Sequence, residues 1–230
     1  MSDAARTPEV VALDVNETLL DLRVLDPLFE RVFGDAALRG LWFAQMLQLS
    51  FVGAITDRYV SFTEAQHAAL SMLAARTGRS IDGATAEEIV GTMEKLPPHP
   101  EVKAALVQLR ASGRPIAALV NSVQAVVEAQ LSNADIRDCI DEIVSADEVR
   151  RLKPSREPYE LVASRLEVPI SQVRLVAAHA WDISGALAAG ATAAFVARPG
   201  MVLSPLGAQP DVVGRDLQEV VEAILAQDGR

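Results

Sequence analysis

The chain has 230 residues, half of them apolar and 23% charged, with 31 acidic against 21 basic residues and a net charge of −10. That length suits one domain, or one with a sizeable insertion, and the composition excludes disordered, collagen-like and coiled-coil chains. An acidic chain with a pI near 4.8 repels phosphate backbones and anionic lipid, so no nucleic-acid or membrane partner is expected.

Residues 1–8 lack the basic start and apolar run of a secretory signal. The first apolar run, Val10-Val11-Ala12-Leu13, stops at Asp14. Residues 22–97 then read as helices, with patterns over 25–33, 36–52, 62–76 and 86–93 that place apolar residues at helical spacing. Pro97-Pro98-His99-Pro100 marks a rigid re-entry into the core. From there helical patterns over 102–111, 125–134, 158–166 and 183–189 alternate with apolar runs at 115–120, 142–145, 173–178 and 193–197. Short runs without polar alternation suit strands covered on both faces. The alternation predicts an α/β fold with a parallel sheet and right-handed crossovers. Residues 1–21 and 98–230 form its core, and 22–97 form a helical insertion placed to close a site against water. Ligands of such sheets bind beyond the carboxyl ends of the strands, where Asp14, Asn121, Ser122, His179 and Asp182 fall. The lone cysteine, Cys139, cannot form an internal disulfide, which points to a reducing, cytoplasmic setting.

The segment Asp14-Val15-Asn16-Glu17-Thr18 puts a carboxylate on the turn leaving the first strand. A carboxylate so placed can be aimed at a substrate as a nucleophile, or can merely cap the next turn. On the turn alone both readings stand.

Later segments decide between them. Asp14 with Thr18 four residues on, Val120-Asn121, Lys153 in Lys153-Pro154-Ser155-Arg156-Glu157-Pro158-Tyr159, and His179-Ala180-Trp181-Asp182 follow one another at suitable spacing. Together they resemble the haloacid dehalogenase superfamily and, within it, the type II 2-haloacid dehalogenases. The resemblance implies a Rossmann-like core with a helical cap and hydrolytic dehalogenation of a short 2-haloalkanoic acid. By the same resemblance Asp14 is the nucleophile, Lys153 and Asp182 maintain the charge network, and Thr18 with Asn121 positions carboxylates. No cofactor or metal is implied, and a homodimer is. The set expected to touch substrate is Val15, Asn16, Trp42, Phe43, Ser122, Tyr159 and Trp181.

Two alternatives are a magnesium-dependent phosphatase of the same superfamily and a diverged member without dehalogenase activity. The phosphatases carry an acid where Asn16 stands, and an amide cannot protonate a leaving alkoxide. Ala177-Ala178 replaces their Gly-Asp pair, which leaves few oxygen ligands for magnesium.

The chain also departs from the type II pattern. Phe43 stands where an Arg is expected to receive the halide, Val120 where a Ser or Thr precedes Asn121, and His179 where an Asn is usual. Glu17 occupies a position usually held by Gly. Glu17 leaves the first strand and His179 the fourth, so the two changes are read together as a dyad that polarises the hydrolytic water. His67 and His99 are expected to be structural, and the scattered glycines form no nucleotide fingerprint.

Overall fold

The computed structural model describes residues 9–227 and 229; residues 1–8, where no secretory signal is expected, lie outside the described residues, as do 228 and 230. Strand β1 (Val10–Leu13) leads into helices α1 (Asp26–Phe33), α2 (Leu38–Ile55), α3 (Phe62–Thr77) and α4 (Gly83–Thr92), and then α5 (Val102–Ala111). Next come β2 (Ile116–Val120), α6 (Gln124–Asn133), β3 (Glu142–Ser145), α7 (Arg156–Arg165) and β4 (Val173–Ala177). The chain closes with α8 (Ala180–Ala189), β5 (Thr192–Val196), β6 (Val212–Gly214) and α9 (Leu217–Gln227).

The six strands pair in parallel in the order β3-β2-β1-β4-β5-β6, the doubly wound α/β sheet expected from the alternation. Successive residues of a strand face opposite sides. Val11 and Leu13 accordingly enter the apolar core on one face of the sheet, and Val10 and Ala12 the core on the other. From β1 the chain winds one way to β2 and β3, and later returns to start β4 on the other side of β1. The carboxyl ends of β1 and β4 therefore flank the switch point, where a crevice opens in this topology. The Asp14 amide donates to the Val176 carbonyl at 3.0 Å and joins the two ends there.

Helices α1–α4, which follow β1, pack on one another and join the apolar core on one face of the sheet. α3 begins on a capping box made by Ser61 and Glu64, which satisfies the first free amides. Trp42 on α2 is fully buried, tilted against Phe29 of α1 at 5.4 Å, and its indole donates to the Gln66 carbonyl of α3 at 3.0 Å. The loop before Lys153 is tied to the α2–α3 connection: Arg151 donates to the Ala54 carbonyl at 2.9 Å, Tyr59 bonds Asp147, and Arg150 lies over the Tyr59 ring. On the far side of that loop α8 comes very close. A Cβ on Gly185 would sit 2.5 Å from the Tyr159 hydroxyl and 2.6 Å from Pro154 Cβ, so glycine is what permits the approach.

β6 and α9 were not anticipated. β6 is a three-residue edge strand whose middle residue, Val213, is exposed, so it leaves no apolar run to read. Among the described residues, no helix is long and apolar enough to cross a membrane.

Candidate active site

Asp14 sits where β1 ends, in a turn closed by the Leu19 and Leu20 amides donating to the Val15 carbonyl. The Thr18 hydroxyl donates to Asp14 Oδ2 at 2.6 Å and accepts from the Ala178 amide at 2.9 Å, so one side chain holds both strand ends. Lys153, 1% exposed, donates from Nζ to Asp14 Oδ1 at 2.9 Å, Asp182 Oδ2 at 2.6 Å and the Leu119 carbonyl at 2.9 Å. All three ammonium protons thus have acceptors. Asn121 clasps the Lys153 backbone, accepting from its amide at 2.7 Å and donating to its carbonyl at 3.4 Å. Tyr159 donates to the second Asp182 oxygen at 2.6 Å.

His179 lies between two carboxylates. Its Nδ1 is 3.2 Å from Asp14 Oδ2 and its Nε2 is 2.9 Å from Glu17 Oε2. Phe43 and Trp181 stack on the imidazole with ring centres 5.7 and 5.3 Å away. Glu17 adopts φ 63°, in the left-handed region where glycine is unstrained and a larger residue is not. Its backbone is held there, the amide donating to the Leu20 carbonyl at 2.9 Å and the carbonyl accepting from His99 Nε2 at 3.3 Å. Its other carboxylate oxygen meets Arg39 Nη1 at 3.3 Å, and Arg39 Nε also reaches Asp26 at 2.6 Å.

Burial works against the Asp14 charge, but Lys153 beside it, followed by His179 and Thr18, holds the carboxyl well below the usual carboxylate range. Burial, and after it the Asp14 charge, pushes the Asp182 carboxyl up against the pull of Lys153. Burial also opposes the imidazolium of His179, yet its bonds to Asp14 and Glu17 raise it from 6.5 to about 9. The resting site at neutral pH therefore holds an ionised Asp14 and a protonated His179. Because the folded value exceeds the unfolded one, the contribution to stability is complete below pH 6.5 and is lost as pH rises through about 9. Wild-type protein is expected to lose on the order of 2–3 kcal/mol of stability across that window. A His179→Gln variant, compared by denaturant titration at pH 6.5 and 9.5, is expected to lose markedly less.

A cavity of about 20 Å³ opens onto this cluster, lined by Asp14, Asn16, Phe43, Asn121, His179 and Trp181 among others. Of the residues expected to touch substrate, Asn16, Phe43 and Trp181 line it. Trp42 does not: it turns into the helical packing of α1–α3. Val15 is buried in the apolar core, Ser122 faces a separate cleft beside α6, and Tyr159 stands behind Asp182. Leu47, Phe62, Val120 and Lys153 complete the wall. Arg39 and Gln130, which bond Glu17 and Asn16, escape the sequence reading. Arg39 had one available signal, since it lies one helical turn before Phe43 on α2. Cys139 is buried. Among the described residues, no group of three or more His, Cys, Asp or Glu is placed to hold a metal ion.

The (S)-2-haloacid dehalogenase H-109 of Pseudomonas putida is 30% identical over 220 residues, covering 94% of this chain and 98% of its own. The (S)-2-haloacid dehalogenase of Pseudomonas sp. strain YL is 28% identical over 222 residues, covering 96% of each. In fold, the chain matches the L-2-haloacid dehalogenase of Xanthobacter autotrophicus with chloropropionic acid covalently bound, with a TM-score of 0.87 at 23% identity, covering 96% of this chain and 98% of that one. The model of the haloacid dehalogenase-like hydrolases matches residues 8–190, a span that runs from β1 through Asp14, Lys153 and His179 to the end of α8, and the chain belongs to that family.

Proposed function

We propose that the protein hydrolyses short 2-haloalkanoic acids to 2-hydroxy acids through an ester on Asp14, in two steps divided between Asp14 and the Glu17–His179 pair. The observation that carries this reading is the Asp14 carboxylate held between Lys153 and His179 at a cavity walled on its other side by Phe43, Leu47, Phe62 and Val120. Relatives named (S)-2-haloacid dehalogenases along nearly the whole chain support the reaction class.

In the first step an Asp14 oxygen attacks C2 of the substrate and the halide leaves with the bonding pair, which inverts C2. Esterification removes the charge that kept the proton on His179 Nδ1. His179 then releases that proton, while Glu17 retains the one on Nε2 and so fixes the tautomer. In the second step water attacks Cγ of Asp14, and the neutral Nδ1 takes the proton. The 2-hydroxy acid departs, leaving Asp14 ionised and His179 protonated again. One water is consumed, and one halide and one proton are released. The base thus comes into being only when there is an ester to hydrolyse. In this reading residues 22–97 act as a cap over the site, and the enzyme works in the cytoplasm as a homodimer.

The test is halide release from (S)- and (R)-2-chloropropionate with EDTA present. Release from the (S) form, unaffected by EDTA, is the expected result. No release from either enantiomer, or release abolished by EDTA, overturns the proposal.

A further inference from the structure

The two oxygens of the Glu17 carboxylate have different partners. Oε2 accepts from His179 Nε2 at 2.9 Å, and Oε1 meets Arg39 Nη1 at 3.3 Å. The side chains of Glu17 and Arg39 are 14% and 16% exposed, so solvent screens the pair little. Arg39 is itself fixed by Asp26 of α1, which accepts from Nε at 2.6 Å.

Glu17 also lines a second cavity, of about 70 Å³, whose wall includes three arginines but not His179. Two of the three are engaged elsewhere: Arg23 is bidentate on Asp21, and Arg198 pairs with Glu101 and donates to the Thr18 carbonyl. His99, in the same wall, is held below its usual value by burial and then by the Arg198 charge, so it is neutral at pH 7. On the Asp14 side, Lys153 is shared by Asp14 and Asp182. Among the described residues, Arg39 is the arginine left to act on Glu17.

The proposed hydrolysis needs His179 to lose its Nδ1 proton. Against burial, bonds to Asp14 and Glu17 raise the resting imidazole to about 9. Esterification removes the Asp14 charge and leaves that of Glu17. A carboxylate 2.9 Å from a ring nitrogen favours the doubly protonated ring. Glu17 alone would therefore both orient the base and keep it from forming. A guanidinium, charged at every working pH, offsets that pull without taking or giving a proton.

We propose that Arg39 is a positioning residue for ester hydrolysis: its fixed charge at Glu17 Oε1 aims Oε2 at His179 Nε2 and weakens the carboxylate's hold on the imidazolium, so that Nδ1 becomes free once Asp14 is esterified. The proposal rests on the dehalogenation reading and names what sets the pH range of its second step. Asp26 shares the guanidinium and so limits the effect.

The test follows hydrolysis of the Asp14 ester across pH, by rapid quench after the halide burst from (S)-2-chloropropionate, in wild type and three variants. Arg39→Gln removes the charge and is expected to move the midpoint of the pH profile up by on the order of one unit. Below that midpoint its hydrolysis is expected to be roughly tenfold slower than in wild type, and at high pH to recover. Arg39→Lys, which keeps a cation, is expected to restore the wild-type midpoint. Asp26→Asn, which leaves Arg39 to Glu17 alone, is expected to move it down. A merely structural tie between α1 and α2 would slow Arg39→Gln evenly at every pH and leave the midpoint in place. That result, with halide release intact in wild type, overturns the role of Arg39 and leaves the dehalogenation reading standing. Absence of halide release by wild type overturns both. If Arg39→Gln does not fold, Asp26→Asn decides: an unmoved midpoint overturns the proposal.

Discussion

His179→Asn and Glu17→Gln are each expected to release one equivalent of halide per protein from (S)-2-chloropropionate and then stop, with the acid fragment left on Asp14. Carbon–halogen cleavage needs an ionised Asp14, and Lys153 still supplies its countercharge at 2.9 Å in both variants. Ester hydrolysis needs a base beside Asp14 Cγ. His179 Nδ1, 3.2 Å from Asp14 Oδ2, is the group in that place, and its free form depends on Glu17 holding the opposite ring nitrogen at 2.9 Å. Loss of a positioned general base slows a step by about 10²–10⁴-fold, enough for the ester to outlive a mass-spectrometric measurement. Asp14→Asn, examined alongside, is expected to show neither burst nor adduct. Steady turnover by His179→Asn at the wild-type rate, with no adduct, would remove the dyad from the mechanism.

Lys153→Met is expected to cost about 3–5 kcal/mol of stability, the range for stripping one partner from a buried ion pair. The substitution keeps the side chain's bulk but leaves Asp182, 0% exposed, without its cation, leaves Asp14, 6% exposed, with only the His179 imidazolium beside it, and leaves the Leu119 carbonyl without its donor. For a protein of this size the loss corresponds to a fall of roughly 6–20 °C in melting temperature. Asp182→Asn added to Lys153→Met removes one of the two opposed charges, so the double variant is expected to regain part of the loss. Additive effects of the two substitutions, measured by calorimetry, would show that the three groups do not act as a unit. Halide release by Lys153→Met is expected to fall as well, because the Asp14 carboxyl moves back toward the ordinary range once its nearest cation is gone.

What could be read in advance followed from residues whose partners are set by backbone topology. Val10–Leu13 is an unbroken apolar run and Val173–Ala177 is apolar but for Arg174, each followed at once or soon by a polar residue. Parallel pairing of two such strands brings Asp14, Glu17 and His179 together without any knowledge of side-chain angles. Trp42 and Phe43 show where this stops. Both are large, apolar and adjacent on α2, and successive helical residues point about 100° apart. Only the packing of α1 and α3 determines that Trp42 turns inward and Phe43 meets His179. Gln130 left no trace at all: its bond to Asn16 spans 114 positions and depends on how α6 docks beneath the Met93 turn.

Arg39 carries a consequence for the order of events. It belongs to α2, yet it grips Glu17 in the turn after β1 as well as Asp26. In the proposed reaction a haloacid would not fit a cavity of about 20 Å³ walled by Phe43 and Leu47, so its entry would require α2 to draw back. The same movement would take the guanidinium from Glu17 and return it on closing. Under that reading, filling the chamber and arming the water would be successive beats of one movement.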